Sequence, residues 1–176
     1  MKSEKKKLII DYVIYSSIIV FGIVLDQITK LLAVKYLVDG SVTFIPGVLD
    51  FTYVENRGMA WGLFADQRWI FMTVSVIAIV ALSVFLYMRK SPNRLYAIAI
   101  SLIISGGIGN MIDRTVLGYV VDFLEATFID FPVFNVADSF VTVGAFGLIA
   151  LLILDIIKEA KAERQKKAAK KDEGDD

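Results

Sequence analysis

Four long apolar runs divide the chain. Trp69–Met88 and Leu95–Ile112 hold no charged residue, Leu8–Leu25 is interrupted only by Asp11, and Val136–Ile157 carries Asp138 near one end and Asp155 near the other. A soluble domain of 176 residues would space its apolar positions at helical or strand period. Unbroken runs of about 20 residues are instead what a helix needs to cross the hydrocarbon core of a bilayer. The pattern predicts an all-α membrane protein, a four-transmembrane-helix bundle with helices near residues 9–36, 68–89, 94–113 and 136–158. It forms a single domain over residues 1–176, with 159–176 as a tail.

The links between the runs have patterns of their own. Ser41 to Val54 reads as extended chain, because Phe51 and Tyr53 alternate with Thr52 and Val54 and Pro46-Gly47 marks a turn. A small hairpin or β-cradle on the outer surface is expected there. Met59 to Phe64 is too short to span and rich in interfacial side chains, so it is expected to dip into the headgroup layer as a loop or short helix. The third link repeats the theme with Tyr119-Val120-Val121 and with Phe128, Phe131 and Phe134 around Pro132. These aromatic residues fit interfacial anchoring and substrate contact equally.

Charge sets the orientation. Lys2, Lys5, Lys6 and Lys7 precede the first run; Arg89, Lys90 and Arg94 crowd the short second link; and a lysine-rich tail begins at Lys158. The third link has only Arg114, while the long first link is less clean, with Lys35, Arg57 and Arg68. The positive-inside rule then predicts cytoplasmic termini, with the first and third links outside. The first run lacks a small-x-small exit and reads as a retained helix rather than a cleaved leader. The tail is predicted to continue the last helix and to fray near Asp172.

There is no cysteine and no histidine, which excludes disulfides, thiol nucleophiles and Ser-His or Cys-His couples. Chemistry is left to carboxylates, lysines, hydroxyls and amides. Ionisable groups at membrane depth are costly and point to function. Asp26 and Lys30 stand one turn apart in a favourable ion-pair order, and Asp113 follows Asn110 on one face; both read first as structural clamps. Asp122 and Asp138 differ. Asp122 is flanked by Val120, Val121 and Phe123 with no local cation, and Asp138 opens the fourth run. Burial would raise a carboxyl pKa, and two such acids brought together would share one proton, as an acid–base pair requires. The helix N-terminus favours a charged Asp138 and the apolar flanks a protonated Asp122, which leans towards Asp138 as base and Asp122 as acid in a pair that titrates as a unit and leaves the two roles open. From the residues alone, a protease pair and a proton- or ion-coupled transport pathway both remain open. So does a Ser-Lys peptidase built on Ser105 and Lys30.

Five blocks, taken in order, narrow the choice: Asp26-Gln27-Ile28-Thr29-Lys30; Asn56-Arg57-Gly58-Met59-Ala60-Trp61-Gly62; Gly109-Asn110-Met111-Ile112-Asp113-Arg114; Val120-Val121-Asp122-Phe123; and Phe134-Asn135-Val136-Ala137-Asp138. With them the chain resembles bacterial lipoprotein signal peptidase, the type II signal peptidase, over nearly its whole length. The resemblance implies an aspartic endopeptidase of the bacterial cytoplasmic membrane, with its site at the outer face. It would cut prolipoproteins immediately before a diacylglyceryl-modified cysteine. It implies Asp122 and Asp138 as the dyad. Asn56, Asn110, Arg114 and Asn135 would position substrate or support the dyad, and Asp26 and Lys30 would brace the site, with Asp113 and Gly106 among the supporting residues. No metal or cofactor and no nucleic acid are implied. The partners would be the lipidated signal peptide and membrane lipid, and the protein would act as a monomer sensitive to globomycin-type cyclic peptides.

Overall fold

The computed structural model describes residues 2–58, 68–88 and 93–172. The expected interfacial segment Met59 to Phe64, the charges Arg89 and Lys90, and the last four residues lie outside these. The elements run α1 (Lys2–Leu37), β1 (Val42–Ile45), β2 (Leu49–Asn56), α2 (Arg68–Met88), α3 (Arg94–Val116), β3 (Val120–Ala126) and α4 (Val136–Asp172).

Three of the helices, α1, α3 and α4, are long and apolar enough to cross a membrane, and α2 contributes an apolar stretch over Met72–Met88. Two helices outrun the expected spans. α1 starts at Lys2 and α4 runs on to Asp172. At 1.5 Å per residue each is about 55 Å long, well beyond a hydrocarbon core of about 30 Å. The flanking residues are mostly lysine, glutamate and alanine, which are good helix formers, and no proline or glycine interrupts them. A helix ends where its backbone is broken, not where the bilayer ends. α3 shows such a stop: Gly118 adopts φ 85°, and its N–H returns to the carbonyl of Asp113 at 3.2 Å.

α3 is the central helix and packs against the other three. Small residues make this possible. A Cβ on Gly106 would collide with the carbonyl oxygen of Ala137, and one on Gly144 would crowd that of Ala99. Side chains exposed along the bundle are apolar, among them Ile10, Val13, Val24, Leu31, Val74, Ile77 and Phe146, as lipid contact requires.

The three strands form one antiparallel sheet in the order β1-β2-β3. β1 and β2 make the hairpin foreseen at Pro46-Gly47, with Gly47 at φ 72°. β3 comes from the link after α3 and pairs Val54 with Asp122 and Asn56 with Val120. Ala33 and Leu37 of α1 pack with Val121 and Phe123 under the sheet. At the far end of the bundle, Tyr15, Leu86, Ala97, Ile100 and Ile104 form an apolar cluster. The sheet therefore marks one end of the bundle, and the N-terminus of α1 and the C-terminus of α4 lie towards the other.

Candidate active site

The first turn of α4 follows from its sequence. Asn135 stands at the N-cap and Asp138 three residues on. The Asn135 Oδ1 accepts from the Asp138 N–H at 2.9 Å, and the Asp138 Oδ2 accepts from the Asn135 N–H at 3.2 Å. This is a reciprocal capping box, which satisfies backbone donors that a helix start leaves open. The next free donor, the N–H of Ala137, goes to Asp26 Oδ1 at 2.9 Å.

Asp122 arrives from β3 and is 1% exposed. Its two oxygens accept from Asn56 Nδ2 at 2.8 Å and from Asn135 Nδ2 at 2.7 Å. Asp138 Oδ1 accepts from Asn110 Nδ2 at 2.7 Å. Asn135 thus touches both carboxylates, through its side-chain amide on one and its backbone on the other. Asn110 joins the same network, because its Oδ1 accepts from Asn135 Nδ2 at 3.1 Å and from Lys30 Nζ at 2.9 Å. Asp122 and Asp138 line one cavity of about 520 Å³ together with Asn56, Arg114, the Phe131-to-Phe134 segment and Ser139, Thr142 and Val143 of α4.

Burial pushes the Asp122 carboxyl up, the negative charge of Asp138 adds to this, and its pKa reaches about 7. The amides of Asn56 and Asn135 and the charge of Lys30 pull the other way without cancelling it. At neutral pH this acid is therefore poised between its two protonation states. Arg114 brings a guanidinium to the cavity wall, where its Nη1 donates to the Asn110 carbonyl at a long 3.4 Å.

Behind the cavity lies a buried ionic cluster. Lys30 Nζ meets Asp26 Oδ2 at 2.9 Å and Asp113 Oδ2 at 3.0 Å. Gln27 Nε2 donates to Asp113 Oδ1 at 3.0 Å and to Asp26 Oδ2 at 3.2 Å. The sequence marks Gln27 only by its place in the turn between Asp26 and Lys30. The clamp reading of Asp26 with Lys30 and of Asp113 thus describes one cluster, not two. Gly106 lies apart from the cavity lining. It is pressed on the Ala137 carbonyl, where it permits close packing of α3 on α4.

Two rivals lose their geometry here. Ser105 is fully buried with an unpartnered Oγ beside Gly22, eight residues or about 12 Å along α1 from Lys30, whose ammonium is already engaged. A transport pathway needs polar groups through the depth of the bundle. Between Asp11 and Asp26 in α1, across Leu95–Ile112 in α3 and between Asp138 and Asp155 in α4, there is no ionisable acid or base other than tyrosine.

A family model described as signal peptidase (SPase) II matches residues 18–155. A lipoprotein signal peptidase of Clostridium tetani is 42% identical over 153 residues, covering 85% of this chain and 96% of that protein. One of Caldicellulosiruptor bescii is 44% identical over 150 residues, covering 85% and 95%. Two solved structures of bacterial membrane enzymes, obtained by the in meso method at 2.3 and 1.9 Å resolution, superpose with TM-scores of 0.75 and 0.72 at 36% and 35% identity. They cover 81% and 78% of this chain, and 88% and 91% of their own. The fold and these relatives define a multi-pass membrane peptidase. The chain belongs to the signal peptidase II family.

Proposed function

We propose that this protein is an aspartic endopeptidase that removes the signal peptide from diacylglyceryl-modified bacterial prolipoproteins, cutting before the lipidated cysteine. One observation carries the reading: two carboxylates from distant parts of the chain line one cavity and are joined through Asn135. Asp138, at a helix N-terminus and bonded by Asn110, is the base. It takes a proton from water as the water oxygen attacks the scissile carbonyl carbon. Asp122, poised near neutrality, gives its proton to the carbonyl oxygen. The tetrahedral intermediate then collapses. The leaving nitrogen takes the proton held by Asp138, and Asp122 recovers its own from the hydroxyl. The pair titrates as a unit, so these roles describe its productive microstate.

The membrane setting follows the same logic. With the sheet and cavity at the outer face and both termini in the cytoplasm, the cavity lies where a lipid anchor would hold a cysteine, at headgroup depth. Substrate then enters sideways from the lipid, and one chain suffices. The lysine-rich ends and the apolar flanks of the bundle support this orientation.

The test is cleavage by the purified full chain in detergent micelles. A synthetic signal-peptide segment is supplied with and without the diacylglyceryl group on its cysteine. Mass spectrometry is expected to find a product beginning at the lipidated cysteine, with formation blocked by globomycin-type cyclic peptides. Equal cutting of the unlipidated peptide, or a cut elsewhere, would refute the substrate assignment.

A further inference from the structure

β3 is one of the two edge strands of the sheet, and among the described residues its outer side meets no further strand, only the bridge between Leu124 and Phe134. Edge amides buried away from water must find acceptors elsewhere. Those of Phe123 and Leu124 go to the carbonyl of Phe134, at 3.0 and 2.8 Å. The amide of Val121, immediately before Asp122, goes to a side chain: Asp113 Oδ2 accepts it at 3.0 Å. The other half of the site repeats the arrangement. The amide of Ala137, immediately before Asp138, is accepted by Asp26 Oδ1 at 2.9 Å. Both of these outer carboxylates pair with one ammonium, that of Lys30.

We infer that Asp113 is a positioning residue for Asp122, holding β3 through the Val121 amide, and that Lys30 couples this hold to the one Asp26 exerts behind Asp138. The inference rests on the proposed dyad. Asp113 is itself fixed at three points. Its carbonyl receives the N–H groups of Leu117 and Gly118, its Oδ1 receives Gln27, and its Oδ2 receives Lys30 as well as Val121. It is 3% exposed, so water does not stand in for any of these partners. A bond from an amide to a carboxylate is about twice as strong as a neutral one. Asp113 is not part of the cavity lining, so its effect passes through the backbone rather than through substrate. The spacing of the dyad is then set by two struts that meet at one nitrogen. Neither strut is local in sequence, since Lys30 reaches Asp113 from α1 and Asp26 reaches Ala137 in α4.

The test compares wild type, Asp113→Asn and Asp113→Ala as full chains in micelles with the diacylglyceryl peptide, alongside Asp122→Asn. Asparagine keeps an oxygen for the Val121 amide but loses the charge; alanine loses both. The expected result is a graded fall in kcat per folded molecule, about tenfold for Asn and about 100-fold for Ala, with KM unchanged within about twofold. Amide exchange over residues 119–123 should accelerate in the same order. If the alanine variant does not fold, the near-isosteric asparagine variant decides alone. Wild-type kcat per folded molecule in either variant, with only thermal stability reduced, would make Asp113 a structural residue and overturn the inference. Cleavage surviving in Asp122→Asn would instead remove the dyad on which it rests.

Discussion

At the sheet end of the bundle, Lys30, Asp26 and Asp113 meet with every side chain 4% exposed or less; at the other end, Arg94 meets Asp11 with its side chain 59% exposed. Tyr96 donates to Asp155 and Tyr12 to the Tyr87 carbonyl around an apolar cluster that holds the helices together. At the sheet end the Lys30 cluster is itself the interior. Taking charges out of water costs several kcal/mol per ion, and pairing returns that only when geometry is good. The terminal end is built for cohesion. The sheet end accepts an expensive interior and gains fixed positions for two carboxylates.

Breaking one ion cluster at each end should sharpen this contrast. Lys30→Met strands two buried carboxylates and is expected to cost about 3–5 kcal/mol, read as a large drop in thermal midpoint in micelles. A midpoint within a degree of wild type would mean that the cluster is wetter than its burial implies. The pH dependence gives the next largest effect. Asp122, lifted to about 7 from an ordinary 3.8, is protonated below that pH and ionised above it. As the acid, it should make kcat/KM fall as pH rises through about 7. The Asn56 amide favours the ionised form, so Asn56→Ala should raise this pKa and move the alkaline fall to higher pH, whatever the loss in absolute rate. An unmoved or lowered limb would take the acid role from Asp122. The same shift makes stability decline as pH rises from about 4 to 7, because the folded protein holds a proton that the unfolded chain has released. The smallest effect belongs to the terminal end: Arg94→Met should cost about 1 kcal/mol or less and leave cleavage unchanged. A loss of activity there would show that the two ends are coupled.

Much of this was legible in the chain, for reasons that differ by element. The spans are written as uninterrupted apolar runs, and the hairpin turn as Pro46-Gly47. The cap is written as Asn135 and Asp138 at their spacing, and the oddity of Asp122 as its valine and phenylalanine neighbours. What escaped was long-range. Nothing near Asp122 announces that β3 pairs with β2, 66 residues earlier, and so delivers the Asn56 amide. Asp113 looked like a helix–helix clamp because spacing shows which face a residue occupies, not that a strand amide waits there. The early start of α1 at Lys2 escaped because its charged flank favours helix without marking where the bilayer stops, whereas the run of α4 to Asp172 is the expected one.

The most direct test of the account replaces each dyad carboxylate by its amide. Asp122→Asn and Asp138→Asn keep shape and size but cannot exchange a proton in this chemistry. Each also sets an NH2 against a donor that the carboxylate accepts from, Asn56 or Asn135 at position 122 and Asn110 or the Asn135 N–H at position 138, so some folded stability is lost and activity is read per folded molecule. Single-turnover cleavage of the diacylglyceryl peptide, normalised to folded protein, is expected to fall by at least about a thousandfold in both variants, far beyond any loss of folded protein. Cleavage within about tenfold of wild type in either variant would contradict the aspartic mechanism.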